Sequence, residues 1–131
     1  MAGYEVKTEY GTIRVKKELV VQMLQSAIRA MNGKAVLSDA KGKPVKAIQK
    51  IRMEGENDPV YVETKEECIY LKVHVIMRFG SSIHQTAAAL GKRIRGEFEH
   101  YFGETAVDIR IVVTGVATTE GITPRKIEIP V

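Results

Sequence analysis

Cysteine is almost missing: Cys68 is the only one in 131 residues. No internal disulfide can form, and a reducing compartment is the natural reading. Long apolar runs are missing too. The longest cover a few residues, as in Ile111-Val112-Val113, against the ~18 that a membrane-spanning helix needs. The opening stretch, MAGYEVKTEYG, has no apolar core of signal-peptide length. No lipidation signal is visible, since Gly3 does not directly follow the first Met and Cys68 is internal. These absences set the expectation of a cytoplasmic protein that meets a membrane only through a partner.

Motifs that gather chemistry are also absent. The three histidines, His74, His84 and His100, form neither H-E-x-x-H nor a zinc-type Cys/His spacing. Cys68 begins a strand, and nothing in the sequence selects a base for it, so it reads as a structural thiol. Gly33-Lys34 and Gly42-Lys43-Pro44 lack the phosphate-loop spacing, and no G-x-G-x-x-G follows a strand. Glu66-Glu67 falls in a hairpin turn. Glu97 and Glu99 flank Phe98 on a helix, where such neighbours diverge. Gly80-Ser81-Ser82 opens a helix whose free N–H groups suit an anion, as any Ser-rich helix start does. A small enzyme or metabolite sensor built on His84, Ser82 and that helix start is the one catalytic-class reading left. The expectation is no enzyme, with no catalytic residues, no cofactor and no metal.

What is present is ordinary globular material. The chain is 44% hydrophobic and 27% charged, and its length suits a single domain over 1–131. Net charge is +4, an excess that permits contact with polyanions without demanding it.

Periodicity supplies the elements. Thr12 to Lys17 alternates as a short strand, with Ile13 and Val15 on one face. A helix follows from about Glu18 to Met31, with Leu19, Val20, Met23, Ala27, Ala30 and Met31 at helical spacing. Asn32-Gly33 ends it. Residues 33–59 are irregular, with a turn at Lys41-Gly42-Lys43-Pro44, short extended pieces flanking it near Ala35 to Ser38 and Val45 to Met53, and a polar loop at Glu54 to Pro59. Val60 to Thr64 and Cys68 to Phe79 form a strand pair. In the second, Ile69, Leu71, Val73, Val75, Met77 and Phe79 face inward, and Tyr70, Lys72, His74 and Arg78 lie opposite, with Ile76 among them. Ser82 and Gln85 have capping-box spacing before a helix from about Ile83 to Phe102. Its stripe is Ile83, Ala87, Leu90, Ile94, Phe98 and Tyr101, and Gly103 caps it. Ala106 to Val116 closes the core, about 10–116. The tail, 117–131, is extended, and its Arg125–Val131 part either adds an edge strand or docks on a partner.

The order β-α-β-β-α-β predicts an α+β two-layer sandwich. Both helices pack on one face of a mainly antiparallel four-stranded sheet, ferredoxin-like by default. The other sheet face is left exposed or available to a partner. Lys72, Arg78, Lys92, Arg93 and Arg95 are the candidate interaction patch. They also carry the alternative reading, a nucleic-acid-binding module, although the aromatic RNP pattern and the G-x-x-G loop of KH modules are both absent.

Three passages together resemble the alkaline shock protein family of bacterial envelope stress response proteins. The first is Tyr10-Gly11-Thr12-Ile13-Arg14-Val15 with the helix after it. The second is the strand Ile69 to Phe79 ending in Gly80. The third is the helix from Ile83 to Gly103 running into Val107-Asp108-Ile109-Arg110-Ile111-Val112-Val113-Thr114-Gly115-Val116. The segment Lys34 to Pro59 departs from the family's brief turn, being longer and more basic, and the tail after Val116 is particular to this chain. The resemblance implies a non-catalytic cytoplasmic scaffold that self-associates as a homo-oligomer. It also implies docking on a small membrane anchor protein, or modulation of cell-envelope and lipid metabolism. No catalytic or contact residues transfer with it.

Overall fold

The computed structural model describes residues 3–8, 11–53, 55–103 and 105–131, with the backbone alone for 3–8, 11–15 and 49. Strands β1 (Gly3–Thr8) and β2 (Gly11–Lys16) form an antiparallel pair of their own, from Gly3↔Lys16 to Thr8↔Gly11. The first strand expected from the sequence is therefore present but stands outside the main sheet. Its nearest neighbour in the chain offers a complete ladder at the smallest loop-closure cost. The inward facing of Ile13 and Val15, and Tyr10 itself, lie outside the described residues.

Helix α1 (Lys17–Arg29) buries Val20, Val21, Met23, Leu24 and Ala27 along one side. Asn32 and Gly33 then turn through positive φ, 53° and 82°, and stop it as the sequence predicts.

The main sheet is built on β5 (Cys68–Arg78). One of its edges is shared by two short partners. Strand β3 (Ala35–Leu37) pairs with Met77 to Val75, and β4 (Val60–Lys65) pairs with Val73 to Cys68, both antiparallel. His74 is the joint between them: its N–H donates to Pro59 O, and its C=O accepts from Ser38 N. On the other edge β6 (Ala106–Thr118) runs parallel to β5, joined through α2 (Ile83–Phe102). Parallel neighbours require such a crossover. Strand β7 (Gly121–Pro130) returns antiparallel along β6, so the tail adds an edge strand. Pro124 and Pro130 both lie in this edge strand, where a missing N–H is tolerated.

The sheet is thus mixed and five-stranded, not mainly antiparallel and four-stranded, and the ferredoxin-like order does not hold. The central pair is parallel because α2 carries the chain back to the starting end of β5. The two-layer expectation survives. Ile69, Leu71, Val73, Val75 and Met77 join Ile109, Ile111 and Val113 in one cluster with the buried faces of α1 and α2. Phe79 corrects the inward list: β5 ends at Arg78, and the ring is 71% exposed. Tyr101 is also exposed.

The irregular segment does more than connect. Ile51 and Met53 are buried in the core. Asp39 organises a tight turn, its carboxylate accepting from Lys41 N and Lys43 N at 2.9 Å each. That turn folds toward β6, where a Cβ on Gly42 (φ 87°) would lie 3.3 Å from Thr114 O. Thr114 is the extra residue of β6 against β5, and it also sits at the irregularity with β7, where Arg125 and Lys126 are two residues against this one. Its hydroxyl donates to Val75 O at 3.2 Å and meets Ser38 Oγ at 2.6 Å. Ser38, His74, Ile76, Val112 and Thr114 are all buried. The sheet face away from the helices is therefore covered over part of its length, not open throughout.

His74 gives this region a pH dependence. Burial is the main cause that lowers its pKa from the usual 6.5, with Lys72 and Lys126 adding to it and the carbonyls of Pro59 and Asp58 opposing. Nδ1 lies 3.1 Å from Pro59 O, so the neutral ring donates there. The unfolded chain then binds the proton more readily than the folded one, and stability falls as pH drops below about 6.5. Urea midpoints measured from about pH 7 to about pH 5 are expected to decline more steeply for the wild type than for His74→Asn, which keeps a donor and loses the titration.

Candidate functional site

The five cations singled out from the sequence do not come together as one patch. Arg95 faces the β6–β7 end of the molecule. Its Nη1 donates to Val107 O at 2.6 Å and its Nη2 to Val131 O at 2.7 Å, tying α2 to the start of β6 and the end of β7. Gly91, one turn earlier on α2, makes room for the same residue, since a Cβ there would run into Val131. Arg95 is thus occupied by the fold. Lys72 lies on the sheet face away from the helices, with Nζ 3.8 Å from Glu128 Oε1.

Arg78, Lys92 and Arg93 do border one feature, a groove of two adjoining hollows along α2 that meet at Ala30 and Met31, just past the end of α1. Its first part, about 710 Å3, is lined by Ala30 and Met31 at the end of α1 and by Ala89, Lys92, Arg93 and Gly96 on α2. Its second part, about 600 Å3, shares Ala30, Met31 and Ala89 and continues past Lys34 and Arg78 to Ser82. Small side chains and one methionine make the floor, and cations stand along the sides. Glu97 is the carboxylate of the first part. It accepts from Ser26 Oγ across the helix pair at 2.9 Å and lies 3.8 Å from Arg93 Nε, so its charge is already answered.

Gly96 is the unusual member. It sits inside α2, where glycine costs about 1 kcal/mol relative to alanine. A Cβ placed there would meet nothing within 4 Å, so no packing among the described residues calls for it. The floor was not recognisable in the sequence, because Ala30 and Met31 read as core positions and Gly96 carried no pattern.

The opposite sheet face holds a second, smaller hollow of about 270 Å3. Glu56, Glu63, Asp108 and Glu128 line it together with Tyr61, Tyr70, Lys72 and Arg110. Both phenols are held above their usual range. For Tyr61 the causes are burial, then Glu63 and Glu56; for Tyr70 they are the electrostatic interaction with Cys68, then burial, a hydrogen bond with Cys68, and Asp108.

The histidines do not converge. His74 is the buried joint of β5, His84 is exposed in the first turn of α2, and His100 stacks edge-on against Tyr101 at 5.0 Å. Ser82 caps α2 by accepting from Gln85 N at 3.3 Å, one half of the predicted reciprocal cap. Among the described residues no three His, Cys, Asp or Glu side chains group to hold a metal ion. Among them too, no helix is long and apolar enough to cross a membrane.

Three substitutions test this assignment of roles. Arg95→Met is expected to cost about 1.5–3 kcal/mol in chemical denaturation, the range for bonds to a charged group, while Arg93→Met stays within about 0.5 kcal/mol. Gly96→Ala is expected to raise stability by about 1 kcal/mol, read as a higher melting temperature.

Compared with known proteins, residues 5–118 match the family model of the alkaline shock proteins, described as having a cell envelope-related function. No curated protein and no solved structure matches the chain.

Proposed function

The chain belongs to the alkaline shock protein family, and from that premise we propose that it is a non-catalytic interaction module of the cell envelope, acting by binding protein partners, including further copies of itself. The observation that carries this reading is a pair of surfaces its own fold does not fill. One is the groove between α1 and α2, edged by Lys34, Arg78, Lys92 and Arg93. The other is the hollow on the far sheet face, with four carboxylates against two cations. Opposite charge on opposite layers favours association between molecules and sets its register.

In the far hollow Tyr61 Oη donates to Glu63 Oε2 at 3.4 Å, and burial with the nearby carboxylates raises the pKa of that phenol, so it keeps its proton. The thiol of Cys68 is bonded to its neighbour's carbonyl, Ile69 O, at 3.6 Å. The reading therefore places this protein in the cytoplasm, held at the envelope by a membrane anchor protein, with any effect on lipid metabolism exerted through what it gathers there. Nucleic acid is the second reading. Lys34, Arg78, Lys92 and Arg93 favour it, and the commitment of Arg95 to carbonyls weighs against it.

Sedimentation velocity over a wide concentration range is the direct test. The sedimentation coefficient is expected to rise with protein concentration and to fall back as salt is added, because charge pairing between copies is screened. A monomer at every concentration, together with retention on a single-stranded nucleic-acid column that salt abolishes, sinks the interaction reading in favour of the second.

A further inference from the structure

The groove between the helices has a shape, a length and a charge, and together they describe an occupant. Along α2 it extends from Gln85 to His100. At 1.5 Å per residue that is roughly 22 Å, the length of about 15 helical residues. The floor of Ala30, Met31, Ala89 and Gly96 holds no large side chain except the methionine, an adaptable contact for varied apolar surfaces. Helix axes approach to the near end of the usual range of about 8–10 Å where the side chains between them are small, and Gly96 leaves the backbone of α2 bare at one end of the floor. Among the described residues nothing packs against that glycine, since a Cβ there would meet no atom within 4 Å. Lys34, Arg78 and Lys92 flank the floor, beside Arg93, whose charge is offset in part by Glu97, the one carboxylate of the first part. The local field is positive.

We infer that this groove receives an acidic amphipathic helix of a protein partner. Its apolar stripe lies along Ala89 and Gly96, and its carboxylates face Lys92, Arg93, Lys34 and Arg78. The inference rests on the interaction reading above and adds the site and the partner's chemistry. An anionic membrane surface or a nucleic acid would satisfy the cations, but it would have no use for a floor of small residues. A helix uses both.

The test is selection from a displayed library of stapled helices of about 15 residues, randomised in charge, against the full chain. Selected helices are expected to carry Asp or Glu beside an apolar stripe. Their affinities, read by fluorescence anisotropy, are expected to fall about ten-fold or more with Gly96→Leu, which fills the floor, and with Lys92→Glu/Arg93→Glu, which reverses the rim. Both variants alter exposed positions, and circular dichroism checks that they fold. Should Gly96→Leu not fold, the rim pair alone decides.

Selection of neutral or basic helices, equal binding by the variants, or no selected helix overturns the inference. So does the finding that Gly96→Leu abolishes binding of phosphatidylglycerol vesicles or of single-stranded RNA while no acidic helix binds. Self-association that persists while no helix is selected overturns this assignment and leaves the interaction reading standing.

Discussion

Burial of one strand governs this structure. Ile69, Leu71, Val73, Val75 and Met77 of β5 are each no more than 2% exposed, and they alternate without interruption. A full apolar face of that length must be covered, and the two helices cover it. The same strand has partners along both edges, with β6 on one side and β3 and β4 end to end on the other. The parallel pairing of β6 obliges α2 to travel back over the sheet, and α1 packs beside it. The interhelical groove is a consequence of these requirements, since it lies where two helices meet above one strand.

The parts of the fold legible in the sequence are the parts with a period. The stripe of Ala87, Leu90, Ile94 and Phe98, the alternation of β5, and the stops at Asn32-Gly33 and Gly103 are local signals with local causes, and the structure bears them out. Strand β1 escaped notice because Gly3–Thr8 alternates weakly and its partner, β2, seemed destined for the main sheet. Ile51 and Met53 escaped because they enter the core from irregular backbone, where no spacing marks them. The direction of β6 relative to β5 is a property of the whole chain path, and no residue encodes it alone.

The site divides the same way. Lys92 and Arg93 stood out as a basic stretch and do edge the groove. Arg95, two residues on, looked equivalent, yet it faces carbonyl oxygens. A helix turns 100° per residue, so adjacent cations on it serve different surfaces. The floor needed three dimensions: Ala30 and Ala89 are distant in sequence and adjacent only because α1 packs on α2.

The last strand carries a further implication. Val131 N donates to Ile109 O, so by the alternation of an antiparallel ladder the nitrogen of Pro130 is turned toward the unoccupied margin. Pro124, opposite Gly115, has no hydrogen to offer on either side. A visiting β-segment laid along that margin would find gaps at both ends and room for only a short zipper between them. Runaway, amyloid-like stacking through this border is thereby discouraged.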